Sequence, residues 1–271
     1  MRLLRQIRVV VTTGLVLVFT ATALAQGTQA PAKPFEPQVG QAGKDVVWVP
    51  TPQELVDKML DMAKVTPQDF LMDLGSGDGR TVITAAKRGL RAQGIEYNAD
   101  MVDLATRNAA AAGVTQRATF IKADLFETDF SKAQVITMFL LPTINMKLRP
   151  TILNMRPGTR IVSNSFTMED WQPDQSETIP DCNSWCTAHL WIVPAKVAGT
   201  WDTPQGALTL AQTFQIVSGT LGSTPVTRGR LRGDEITFAV GNTTYTGRVQ
   251  GNTIRGSAGG GAAFTATKRQ G

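Results

Sequence analysis

Three glycines at alternate positions, Gly75, Gly77 and Gly79, follow a short apolar run and precede a helix-forming stretch. Phe70, Leu71, Met72 and Leu74 make the run, Asp73 interrupts it, and Arg80 opens a segment, 80–88, that reads as helix. A strand that stops in a glycine turn and feeds a helix brings backbone N–H groups and a helix N-terminus against a polar ligand. Seventeen residues after Gly79 a second short strand ends at Glu96. A carboxylate there can accept two hydrogen bonds from a ribose diol. Together these features ask for an α/β sheet with a nucleotide-type cofactor at its carboxyl edge.

The rest of residues 46–195 keeps the alternation going. Strands are expected at 70–74, 92–97, 118–122, 133–138 and 160–165, with a last one at 187–193. Helices are expected at 80–88, 99–112 and, interrupted by Pro150, 147–154. Asn98 stands where a side-chain cap for the second of these belongs. Ahead of the glycine turn, Thr51, Pro52 and Glu54 form a helix-start signature, a capping threonine with proline at the first position, and apolar residues at helical spacing run to Ala63. This is the pattern of a Rossmann-like, doubly wound parallel sheet.

Spacing narrows the cofactor. A dinucleotide fingerprint wants its third glycine three residues after the second. Gly79 comes two after Gly77, and Arg80 stands where close helix–strand packing wants a small residue. The pattern Asp73-x-Gly75-x-Gly77-x-Gly79 instead resembles the first motif of the class I S-adenosylmethionine-dependent methyltransferases. That cofactor has no phosphates, so a carboxylate beside the turn is tolerated. The resemblance implies S-adenosyl-L-methionine as cofactor, with Asp73 at its amino-acid end and Glu96 at its ribose. Asp124, just past the third strand, would accept from the adenine amino group, with Leu125 packing on the ring. Gly75, Ser76, Gly77 and Tyr97 complete the set, and Pro50 and Thr51 are candidates as an entry segment lying over the cofactor, simple helix capping being the other reading of Thr51.

The fourth strand ends in Leu140-Leu141-Pro142-Thr143, where this superfamily places substrate-facing residues, so Leu141, Pro142 and Thr143 are the candidates on the acceptor side. The Asn/Asp-Pro-Pro-aromatic motif of the amino-methylating DNA and glutamine enzymes is missing, which argues against nucleobase amines. No catalytic base is identified; methyl transfer from a sulfonium mainly needs alignment and exclusion of water. Val49-Pro50-Thr51-Pro52, the run Asp73 to Arg80, Gly94 to Asn98, Asp124-Leu125-Phe126 and the Leu-Pro after strand four resemble the ATP synthase c-subunit lysine methyltransferase group and its bacterial relatives. The resemblance covers roughly residues 46–195 and implies N-methylation of a protein lysine. Two departures, an export-type N-terminus and a cysteine loop, leave another small amine open as acceptor.

The N-terminus reads as a signal peptide over residues 1–25. Arg2, Arg5 and Arg8 precede an apolar stretch, 9–24, and Ala23-Leu24-Ala25 supplies small residues for cleavage. The chain is then exported, to a periplasm; left uncleaved, residues 9–24 would tether it to the membrane. Residues 26–45, rich in Gln, Pro, Ala and Gly, read as a flexible leader. Without the three signal arginines the formal charge falls from +5 to +2, with no basic cluster beyond Lys268-Arg269, so no nucleic-acid partner is expected. Cys182 and Cys186 suit a local disulfide in an oxidising compartment, free thiols being the alternative. With His189, the sole histidine, they give too few ligands for a metal, so none is expected.

Residues 199–271 change character to alternating strands between glycine turns. The segment from Gly229 to Ile236 is echoed eighteen residues later from Gly247 to Ile254, with Gly233-Asp234 and Gly251-Asn252 at matched places. A small all-β meander domain of five to seven strands is expected, as a barrel or sheet, serving stability or docking. Export also sets up a competing reading. The methyl donor is made in the cytoplasm, so the fold could be kept as a non-catalytic binding or scaffold module of the cell envelope.

Overall fold

The alternating segments assemble into one seven-stranded sheet in the computed structural model, which describes residues 35–269. The expected signal peptide, its possible tether 9–24 and the first part of the leader lie outside the described residues. Helix α1 (Gln53–Met62) precedes β1 (Phe70–Leu74), followed by α2 (Arg80–Lys87), β2 (Arg91–Glu96), α3 (Ala99–Ala111) and β3 (Ala118–Lys122). Then come β4 (Val135–Met138), α4 (Pro142–Ile152), β5 (Arg160–Asn164), β6 (Gln175–Thr178) and β7 (Thr187–Ile192).

The strand order is β3-β2-β1-β4-β5-β7-β6. β1 to β5 are parallel, and the chain reverses direction across the sheet between β1 and β4, which opens a crevice at their carboxyl ends. Strands buried on both faces read as apolar runs, as β1 and β4 do. Successive side chains go to opposite layers: Leu71 joins the core under α1 and α2, and Met72 and Leu74 the core under α4.

Several expectations need correction. The sheet is mixed, because β7 pairs antiparallel with both β5 and β6. β6 escaped notice because Gln-Ser-Glu-Thr is a polar, half-exposed edge strand without an apolar alternation. Helix α4 starts at Pro142, well before the expected 147, with proline pre-set for the first turn and Pro150 accepted two residues from the end. Thr51 does not cap α1: Pro52 holds that position without a side-chain bond, and Thr51 is buried instead. Asn98 does cap α3, accepting from Asp100 N and Met101 N.

The flexible leader is corrected over its last part. Ala42 bridges Val47, Gly43 N donates to Val46 O (3.0 Å), and Gly40 N and Trp48 N tie the two arms together. These bonds fold residues 40–48 into a reverse turn. Among the described residues, no helix is long and apolar enough to cross a membrane.

Residues 199–268 close into an eight-stranded up-and-down barrel, one strand beyond the expected range: β8 (Gly199–Thr203), β9 (Gly206–Thr213), β10 (Ile216–Leu221), β11 (Thr224–Arg232), β12 (Glu235–Val240), β13 (Thr243–Gln250), β14 (Thr253–Ala258) and β15 (Ala262–Lys268). β15 pairs β8 at Lys268 and Trp201, so the closure removes both sheet edges. The sequence echo is hairpin register, with Gly233 and Gly251 at positive φ as the first residues of two-residue turns. Trp201, Leu231, Phe238, Tyr245, Ile254 and Phe264 fill the interior. The barrel abuts the sheet domain through Phe214 stacked on Trp171 (5.7 Å), Gln215 Nε2 donating to Gln172 O, and Arg230 paired with Asp174.

Candidate active site

The carboxyl ends of β1 to β3, the segments after β4 and β5, and the reverse turn 40–48 surround one cavity of about 520 Å³. All ten residues expected to hold the cofactor line it: Pro50, Thr51, Asp73, Gly75, Ser76 and Gly77 on one side, Glu96, Tyr97, Asp124 and Leu125 on the other. Of the acceptor-side candidates, Leu141 lines the cavity. Pro142 and Thr143 do not, because they have become the first turn of α4.

The glycine turn departs from expectation in one respect. Four of its N–H groups are taken up within the protein: Gly75 N and Ser76 N donate to Ile95 O, Gly77 N to Glu96 Oε2 (3.0 Å) and Gly79 N to Ser76 O. No row of free amides awaits a phosphate. The glycines serve close approach instead. Gly77 has φ 52°, and a Cβ there would come within 2.7 Å of Trp48 Nε1. Asp78 accepts from Arg80 N and pairs with its guanidinium, while Arg80 Nη1 donates to Thr51 O (2.8 Å). That pair fastens the entry segment to the start of α2. Thr51 Oγ1 accepts from the buried Asn164 (3.2 Å), a second fastening from the end of β5.

The three acids differ in state. Asp73 is buried at the end of β1, and loss of solvation pushes its carboxyl up to about 7, against the pull of the Thr137 hydroxyl, which donates at 2.6 Å. The nearby Asp78 and Glu96 charges push the same way. Glu96 accepts from Gly77 N and, through its other oxygen, from Asn98 N (2.9 Å). Asp124 accepts from Lys44 Nζ and Phe126 N, and the Lys44 hydrogen bond holds its carboxyl below the usual range. Lys44 also sits over the Tyr97 ring, 4.8 Å from its centroid.

These residues fit S-adenosylmethionine. The turn is backbone-lined but lacks a row of phosphate donors, the two bases in the lining, Lys44 and Arg80, are paired with Asp124 and Asp78, and Ser76 Oγ is buried with no hydrogen-bond partner among the described residues. A disulfide joins Cys182 and Cys186 in the loop between β6 and β7, and that loop brings Trp185 to the cavity beside Phe139 and Phe166. Sequence reasoning missed Lys44, Trp48 and this aromatic group. Gly43 ahead of the apolar run 46–49 was the available signal for the turn; nothing local marks Trp185.

Fold and site define a class I S-adenosylmethionine-dependent methyltransferase. Residues 73–175 match the family of the ANTKMT methyltransferase domain. A protein-lysine N-methyltransferase of Saccharolobus islandicus is 42% identical over 151 residues, 55% of this chain and 94% of that protein. The lysine N-methyltransferase of Mus musculus that is named for the ATP synthase c-subunit is 32% identical over 130 residues, 48% of this chain; the match spans about half, 52%, of the mouse protein. A crystal structure of an RNA methyltransferase from Salinibacter ruber, in complex with S-adenosyl-L-homocysteine, is 44% identical with a TM-score of 0.52, covering 55% of this chain and 96% of that one. The chain belongs to this family of S-adenosylmethionine-dependent methyltransferases.

Proposed function

We propose that the protein N-methylates the side-chain amine of a protein lysine. The observation that carries this reading is the division of the cavity: acids at the ends of β1 to β3, and only apolar and aromatic side chains after β4 and β5. A neutral amine needs such a dry wall rather than a base, and two of the relatives that this chain matches are named for lysine methylation. When bound, S-adenosylmethionine supplies a methyl group on a sulfonium: the N–C bond forms as the C–S bond breaks, the electron pair stays on sulfur and the charge passes to nitrogen. Asp73 holds the amino-acid end, Glu96 the ribose diol, and Asp124 the adenine amino group, with Lys44 moving off that carboxylate or sharing it. Leu141 and the rings nearby exclude water around the acceptor nitrogen.

The same reading places the enzyme outside the cytoplasm, supported by the signal-like residues 1–25 and by the disulfide. Domain limits of 46–195 and 199–271 go with it. Incubating the purified chain with S-adenosylmethionine and separate envelope-protein and RNA fractions, followed by mass spectrometry, tests the acceptor. Methyl-sized mass increments on lysines support the reading; increments confined to RNA, in keeping with the Salinibacter relative's name, overturn it. Failure to bind S-adenosylhomocysteine at all would favour the scaffold alternative. Sequencing the N-terminus of the mature protein from a fractionated cell tests export, with Gln26 in the periplasmic fraction as the expected result.

A further inference from the structure

The acceptor half of the cavity carries no charged lining residue among those described on β4, β5 and the disulfide loop. What it carries is three aromatic rings in mutual contact. Phe139 follows β4, Phe166 follows β5, and Trp185 comes from the loop between β6 and β7. Their centroids lie 6.0 Å (Phe139–Phe166), 5.8 Å (Phe139–Trp185) and 5.2 Å (Phe166–Trp185) apart, with Trp185 tilted against both phenylalanines.

The segments that carry Phe166 and Trp185 are fastened from behind. Asn145, fully buried in α4, donates to Phe166 O (3.3 Å) and Thr167 O (3.2 Å). Ser165 N donates to Thr187 O, tying the Phe166 segment to β7. Trp185 is 41% exposed and sits at φ 59°, a conformation that bulky residues adopt rarely. The disulfide brackets it, both cysteines pack on the core under α1, and Cys186 O accepts from Ile179 N (3.0 Å). An indole left partly in solvent, in a left-handed conformation, beside two rings at the mouth of a cavity, contributes little to a core. It can contribute to a ligand.

We propose that Phe139, Phe166 and Trp185 form a subsite for an alkylammonium side chain, with Trp185 as its specificity-determining residue. The proposal rests on the amine-methylation reading of the same cavity and adds to it what selects the acceptor. The π faces attract a cation that has no carboxylate to meet. The positive charge that arrives on nitrogen then faces the same rings, so a methylated product remains a ligand for a further round.

Isothermal titration of the full chain saturated with S-adenosylhomocysteine tests this, using N-acetyl-trimethyllysine amide and its uncharged tert-butyl isostere. The cation should bind the unaltered protein about 3- to 30-fold more tightly than the isostere. Trp185→Ala should erase most of that difference and Trp185→Phe should keep most of it, both with unchanged affinity for S-adenosylhomocysteine. Equal affinity for the two probes in the unaltered protein would overturn the proposal. So would a preference for the cation that survives in Trp185→Ala. If Trp185→Ala proves misfolded, the comparison of probes on the unaltered protein and on Trp185→Phe still decides. Binding of S-adenosylhomocysteine with no binding of either probe sinks the subsite and leaves methyl transfer standing; no binding of S-adenosylhomocysteine sinks both.

Discussion

Glu96 uses one carboxylate for two purposes, because each oxygen already accepts a backbone N–H, from Gly77 and from Asn98, and each has a further lone pair for a ribose hydroxyl. On the proposed ribose placement, Glu96→Ala removes ligand contacts and loosens the glycine turn together. The expected loss is about 1–3 kcal/mol of S-adenosylhomocysteine binding by calorimetry, and unchanged affinity would refute the ribose placement. Asp73 makes a different prediction. Burial raises its carboxyl to about 7, so the stability it contributes is fully present below the ordinary carboxylate range and is lost as pH rises through about 7. A ligand ammonium near it favours the ionised form, so cofactor affinity should increase from pH 6 to 8 with release of a proton (about one decade per unit below the pKa). Asp73→Asn should flatten both profiles; a wild-type profile already flat would refute the assignment. The three acids were legible because strand ends are marked by sequence. The Lys44 partner of Asp124 was not, because an ion pair across eighty residues leaves no local pattern.

At the scale of elements, spacing gave the parallel strands to within one or two residues, since apolar runs between glycine turns are a local signal. It failed where tertiary packing decides. The polar strand β6 exists because β7 offers a partner, and the stretch 40–48 folds because Trp48 finds the bare backbone of Gly77. Two side chains fasten the entry segment at Thr51, Asn164 and Arg80, and Arg80 reaches both Asp78 and Thr51 O. A lysine there keeps the charge but cannot make the forked contact. Arg80→Lys should weaken S-adenosylhomocysteine binding roughly tenfold, an effect of about 1.4 kcal/mol, while leaving the melting temperature within a few degrees. Thr51→Ala should cost less, since only the bond from Asn164 is lost and the carbonyl contact to Arg80 survives. Equal losses in the two variants would mean that Arg80 acts elsewhere.

For the whole molecule, the barrel and the sheet domain meet through side chains that neither would bury alone. Trp171 is fully buried with Phe214 stacked on it, and Asp174, 1% exposed in its side chain, accepts from Arg230 Nη2 (2.6 Å) and from Ile192 N. No barrel residue is among those lining the cavity. The barrel thus supports the sheet domain from behind β7 without touching the chemistry, and stability and ligand binding should separate on mutation. Arg230→Ala leaves the Asp174 carboxylate buried with only the Ile192 amide for company. A buried charge stripped of its partner is costly, but Arg230 is itself half exposed and its pairing is screened by solvent. The expected loss is about 1–2 kcal/mol of folding stability, read as a lower urea midpoint with unchanged slope, and S-adenosylhomocysteine affinity should stay the same. An affinity that fell in step with stability would show that the barrel reaches the cofactor site through β7. Replacing both partners by residues that pack, as in Arg230→Met with Asp174→Asn, should recover part of the loss, because the uncompensated charge rather than the missing attraction is what destabilises.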